Sequence, residues 1–317
     1  MTANDLQNRV GELEQQFAVL EARLAAVERH AHGAAHGAAQ KTAQPEAAPP
    51  EPAPWKLDAG RLEGLVDDLY SAVRSGPTAA FAFEAPGSGC YLHSHAKNVS
   101  RMAMFLAARH GFSEPSVRAI GMAGLLHDAG MDSLPHDLVW LGRPLTPEEY
   151  RQVRLHPAAG AEYVRENFRF DGLLNSVIPA TIEQHHERSD GSGYPQGLAG
   201  EKIHDFARVL AIADSFEAMT MPRPFRKSMH QAEAMRSLLL QGYRTARGGM
   251  YDRGLLKTLV WSASMYPPGC EVELSDGRRA RVTGTTSDPK RPVVKVSAGG
   301  TDEAIDLTMQ PGVSIVS

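Results

Sequence analysis

The segment ARVLAIADSFEAM, residues 207–219, places an acid where a helix is expected to be dry. Ala207, Leu210, Ala211, Asp214 and Ala218 fall on one helical face. A carboxylate on that stripe is costly unless it is paired, hydrogen-bonded or metal-bound. A buried salt bridge or a cap would satisfy the same need. The segment AIGMAGLLHDAG repeats the conflict: Ile120, Ala123, Gly124 and His127 share a face, and Asp128 follows. Its small residues let neighbouring helices, or an ion between them, approach closely. A histidine on such a face is also compatible with a satisfied core histidine.

Further polar side chains sit in the same kind of place. His95 shares a face with Val99, Met102 and Leu106. His156 precedes Pro157, which marks a kink or break in a helical stretch. His185 and His186 end the apolar helix SVIPATIEQHH, and Asp190-Gly191-Ser192-Gly193 makes the following turn. His95, His127, His156, His185, His186, Asp128 and Asp214 are therefore the inward-facing candidates. Imidazole with carboxylate suits iron, manganese or zinc, and suits a closed structural zinc site poorly. Asp128 has two oxygens with which to bridge two ions. The remaining residues divide into His95, His127 and Asp214 on one ion and His156, His185 and His186 on the other. Adjacent helical residues point about 100° apart, so His185 and His186 can take two positions on one ion near a helix end.

The rest of the 317-residue chain is organised around this helical stretch. Leu6, Val10, Leu13, Phe17, Leu20, Leu24 and Val27 alternate spacings of four and three. Arg9 and Arg23 then fall at g, Glu14 and Glu28 at e, which predicts a parallel coiled-coil homodimer over residues 1–30. Residues 31–54 carry no large apolar side chain and read as an Ala/Pro-rich linker. Residues 55–265 are helical in pattern, and Thr146-Pro147-Glu148-Glu149 is a helix start. Beyond them, residues 266–317 switch to period two. EVEL, ARVTGT, PVVKVS, AIDLTM and VSIV are five strand candidates, with a hairpin turn at Asp276-Gly277. They predict a small β-barrel or sandwich.

A net charge of −4 without a lysine/arginine block argues against a nucleic-acid polymer as partner. No apolar run approaches the roughly 20 residues that span a bilayer, and residues 1–16 lack a signal-peptide core. Cys90 and Cys270 have no metal or redox spacing, and their scarcity fits a reducing compartment. The expected location is cytoplasmic.

His127-Asp128, with His95 upstream and Asp214 downstream, resembles the HD phosphohydrolase superfamily. HHERSDGSGYPQGLAG followed by ARVLAIADSFEAMT resembles its HD-GYP branch over about residues 85–265. The resemblance implies a mainly α, HD-type helical bundle that binds two or three metals, often iron or manganese, and hydrolyses cyclic di-GMP to pGpG or GMP. Carried over by position, the metal ligands are the seven residues reached above. His127 and Asp128 would be the catalytic pair, through a hydroxide bridging the ions. The implied substrate residues are Tyr194 and Gly193 in the glycine-rich loop, the basic residues Arg223 and Arg226, and position 131. Two departures stand out. Tyr91 replaces the glutamate of three-metal members, which implies a binuclear site. Met131 replaces the lysine of HDxGK and brings no charge to a phosphate. An alternative follows from Met131: a metal-bound receptor or scaffold for cyclic di-GMP with little turnover.

Overall fold

The computed structural model describes residues 57–84, 91–135, 138, 145–222, 228–244, 248–298 and 301–316. The predicted coiled coil and linker, Arg223 and Arg226 lie outside the described residues.

The first described helix, α1 (Ala59–Arg74), starts where Asp58 accepts the Arg61 amide at 2.8 Å. It buries Leu62, Val66, Leu69 and Val73, an amphipathic stripe at helical spacing. A short helix, α2 (Pro77–Ala80), leads to the central helix α3 (Tyr91–His110). The next helix, α4 (Glu114–Leu126), is capped by Ser113 and is buried over most of its length. Gly124 allows α3 and α4 to meet: a Cβ there would lie 2.8 Å from the Ser100 Cα. After a 3₁₀ turn at Ala129–Ser133 come α5 (Pro147–Val153) and α6 (His156–Asn167). The expected start at Thr146 forms as a full capping box with Glu149. Pro157 stands in the first turn of α6, where its missing N–H costs nothing, so it begins a helix instead of kinking one.

Helices α7 (Leu174–Gln184), α8 (Asp205–Thr220), α9 (Gln231–Gly242) and α10 (Arg253–Ala263) complete the bundle. α3 packs against α1, α4, α8 and α10, and α7 against α4, α6 and α8. An aromatic cluster closes one part of the core, with Phe81 edge-on to Phe105 at 5.8 Å and to Phe216 at 5.5 Å. No described helix is long and apolar enough to cross a membrane.

The C-terminal region is a small antiparallel sheet: β1 (Glu271–Glu273), β2 (Arg279–Gly284), β3 (Val293–Ala298) and β4 (Thr301–Asp306), in the order 1-2-3-4. Its register pairs Val272 with Ala280 and Val294 with Ile305. These side chains join Leu274, Val282, Val296 and Leu307 in a core to which Ala232 of α9 and Tyr266, in the segment after α10, contribute. Gly277 takes the positive φ of 83° that the β1–β2 turn demands. The expected five strands are corrected to four among the described residues. LTM of the fourth candidate turns into a 3₁₀ helix at Leu307–Met309, because the Asp306 carboxylate captures the Thr308 amide. The last candidate is reduced to a single bridge between Ile315 and Leu274. The sheet is thus an open meander, and the described residues form no closed barrel.

Phe105 is 1% exposed and wedged against Phe81. Phe105→Ala is expected to lower stability by about 3–5 kcal/mol, read from urea unfolding.

Candidate metal centre

Three helix ends and two helix interiors converge on one spot. His127 is the C-terminal cap residue of α4, His185 that of α7, and His156 follows α5 as the first residue of α6. The last carbonyls of a helix have no intrahelical partner. The imidazoles supply one: Nδ1 of His127 donates to the Gly124 carbonyl at 2.8 Å, His156 to Val153 at 2.7 Å and His185 to Ile182 at 2.6 Å. In His95, on α3, Nδ1 lies 2.6 Å from Oε2 of Glu217 on α8. A carbonyl can only accept, so Nδ1 carries the proton in the first three. The Glu217 carboxylate selects the same nitrogen in His95. All four residues therefore turn Nε2 inward, the nitrogen that is bare in the neutral imidazole and so open to a metal.

Two carboxylates stand among these nitrogens. Asp128 Oδ2 lies 3.4 Å from Nε2 of both His95 and His127, while its Oδ1 lies 3.3 Å from Nε2 of His156. Asp214 Oδ1 lies 3.5 Å from His95 Nε2, and its Oδ2 3.9 Å from His186 Nδ1. Two groups of donor atoms, each within 4.8 Å of one another, result: His95, His127 and Asp128, and His156, His185 and His186. The structure thus brings together all seven residues read from the sequence. It also changes one detail. Asp214 was expected in the first group alone, whereas its two oxygens face both.

The electrostatics follow from burial. Loss of water holds His185 well below the usual imidazole range, helped by His186, His127 and His156 beside it. Burial also lowers His156 and pushes His186 down to about 3. Burial opposes charge on Asp128, but the surrounding imidazoles of His127, His95 and His156 outweigh it and hold the carboxyl well below its usual value. The same balance, set by His95, His186 and His127, lowers Asp214. For His95 burial again opposes charge, and the carboxylates of Glu217, Asp128 and Asp214 overcome it. Carboxylates that draw a proton to His95 would draw a cation to the same nitrogen.

Nε2 of His127 is buried and has no hydrogen-bond partner among the described residues. An orphaned nitrogen aimed at a carboxylate is costly in a dry core and is what a metal ligand requires. The donor set and this orphan fit divalent cations.

The glycine-rich loop sits beside the cluster. Tyr194 stacks on His186 with ring centroids 4.6 Å apart, and its amide donates to the His186 carbonyl. Glu187, 2% exposed, accepts the amides of Gln196 at 2.7 Å and Leu198 at 2.9 Å and so clamps the far side of the loop. Gly193 is required by packing: a Cβ there would lie 2.4 Å from the Arg188 nitrogen. Met131 lies half-buried in the 3₁₀ turn just after Asp128. Sequence reasoning missed Glu187 and Glu217. Glu217 carried a signal, because it lies one helical turn after Asp214 on the same buried side.

With the geometry in hand, comparison with known proteins places the chain. The HD domain model matches residues 89–251, and the chain belongs to the HD domain family, as its motifs implied. It is 33% identical over 223 residues to the cyclic di-GMP phosphodiesterase PA4108 of Pseudomonas aeruginosa, an alignment covering 70% of this chain and 51% of that protein. It is also 33% identical over 145 residues to 3′3′-cGAMP-specific phosphodiesterase 1 of Vibrio cholerae, covering 46% of this chain and 32% of that one. The chain thus spans about half, or less, of the curated relatives it matches. Among solved structures it resembles Bd1817, an HDG"Y"P protein from Bdellovibrio bacteriovorus, with a TM-score of 0.50 and 22% identity, covering 64% of this chain and 63% of that one. That likeness is one of fold: a mainly helical HD-type body.

Glu217→Gln removes the negative charge that orients His95. Metal affinity, titrated with manganese(II), is expected to fall about 10–100-fold while the helical circular dichroism is kept.

Proposed function

We propose that this chain is a metal-dependent phosphodiesterase that hydrolyses cyclic di-GMP to pGpG or GMP. The observation that supports it most is the set of inward Nε2 atoms around two carboxylates whose oxygens each divide between two donor groups. Asp128, His95 and His127 would hold one ion, His156, His185 and His186 the other, with Asp128 and Asp214 spanning them. Divalent ions held there would supply Lewis acidity toward phosphoryl oxygens and would acidify a water nucleophile. Iron or manganese suits the mixed nitrogen and oxygen donors best, and zinc is an allowed third. Tyr91 in place of the glutamate of three-metal members favours two ions over three.

The protein's own part is geometry. The four Nδ1 hydrogen bonds fix the imidazoles before any ligand arrives, so little reorganisation is left for the reaction. Tyr194, held on His186 by stacking and by its backbone, forms the wall of the mouth. Glu187 keeps the loop that carries it in one shape. Arg223 and Arg226, outside the described residues, are assigned to substrate phosphates on the motif alone. Residues 1–30 are assigned to a homodimeric coiled coil on the heptad alone. A cytoplasmic location and the absence of membrane and nucleic-acid partners belong to the same reading.

Met131 favours one rival. A site short of one phosphate-binding cation turns over slowly and suits a receptor of cyclic di-GMP. The test is anaerobic loading with iron(II) or manganese(II), followed by chromatography of cyclic di-GMP and, separately, 3′3′-cGAMP. The wild type is expected to release pGpG or GMP, and Asp128→Ala to lose at least about a thousandfold in rate, since it removes the carboxylate both donor groups share. Tight binding without product would establish the receptor instead. Turnover of 3′3′-cGAMP alone would move the substrate assignment.

A further inference from the structure

Arg154 sits at the edge of the site without a role in the reading above. It ends α5, immediately after Val153, whose carbonyl anchors His156, and two residues before His156 itself. Its guanidinium carbon lies 4.8 Å from the Tyr194 ring centroid and 5.9 Å from that of Tyr150. The two rings meet edge-on at 6.4 Å. Tyr150 is 47% exposed, so this cluster opens to solvent, while Tyr194 stacks on His186 in the metal centre. Arg151, on the same helix, pairs with Glu148, and Arg188, in the loop after His186, donates to the His185 and Glu187 carbonyls. Arg154 has no carboxylate partner among the described residues.

A guanidinium held against two aromatic faces, with no acid beside it, is a preorganised anion receptor. Its planar donors match two phosphate oxygens. Arg154 and His186 both pack on the Tyr194 ring, 4.8 and 4.6 Å from its centroid, so the guanidinium stands beside the ligand nitrogens without being one of them. Cyclic dinucleotides carry two phosphodiester groups. We infer that Arg154 binds the second, non-reacting phosphate of a cyclic dinucleotide and so makes the site selective for substrates with two phosphates. This rests on the cyclic dinucleotide reading above, and it partly offsets the cation missing at Met131.

The test uses full-length, metal-loaded protein and three variants: Arg154→Ala, Arg154→Lys and Tyr150→Ala. KM and kcat are measured for cyclic di-GMP and for bis(p-nitrophenyl) phosphate, which has one phosphate and no base. Inhibition of the latter reaction by cyclic di-AMP is measured alongside. Arg154→Ala is expected to raise KM for cyclic di-GMP about tenfold or more, with kcat changed little. It should weaken cyclic di-AMP inhibition by a similar factor and leave bis(p-nitrophenyl) phosphate hydrolysis and metal content unchanged. Arg154→Lys should recover part of the loss, because the charge is kept and the fork is not. Tyr150→Ala, which removes one of the supporting rings, should raise KM less than Arg154→Ala. Equal loss with both substrates, loss of metal, or an effect confined to the guanine dinucleotide would overturn the inference. A wild type that cleaves cyclic di-GMP and an Arg154→Ala variant with unchanged KM would overturn the inference alone. A wild type that neither binds nor cleaves any cyclic dinucleotide would overturn the substrate reading, and this inference with it.

Discussion

Asp128 and Asp214 are carboxylates set into an apolar helical core, and the fold around them is arranged to make that tolerable. A bare buried carboxylate is excluded by its desolvation cost. Here each has imidazole nitrogens within 3.3–3.9 Å, and each is held well into its charged form. Those imidazoles in turn need an anchor on their outer nitrogen. His127 and His156 obtain it from helix carbonyls that would otherwise lack a partner, as does His185 beside them, and His95 obtains it from Glu217. Helix termination and site construction are the same event at His127, His156 and His185.

This coupling accounts for the small residues around the site. Gly124 lets α4 reach α3, which brings the His127 and His95 rings to 5.1 Å. Gly130 lets the turn after Asp128 lie on the first residue of α6: a Cβ there would meet the His156 carbonyl at 2.0 Å. The loop after His186 is held by an acid that never faces the metal donors, since both oxygens of Glu187 are taken by loop amides. The doubled histidine and the sharp turn in HHERSDGSGYP therefore serve one purpose. The first anchors a helix end and joins the donor cluster, the second carries the tyrosine ring, and the glutamate after them fixes the loop.

The helical body and the seven inward residues were legible because polar side chains on apolar faces violate the pattern that surrounds them. The anchors were not. Backbone carbonyls carry no residue identity, and the His95–Glu217 contact joins positions 122 apart in the chain. The split role of Asp214 was hidden for a similar reason: helical spacing gives the face a side chain occupies and not the direction of each oxygen. In the sheet, alternation was read correctly for β1 to β3. It failed beyond Asp306, where a local side-chain capture of the Thr308 amide outcompeted strand pairing.

The central claim is that these residues form one centre for two ions. Elemental analysis of anaerobically reconstituted, desalted protein tests it most directly, alongside Asp128→Asn. Two equivalents of iron or manganese per chain in the wild type, with both weakened together in the variant, are predicted, because Asp128 faces both donor groups. Retention of no metal, or loss of a single equivalent in Asp128→Asn with the other bound as before, would contradict the account.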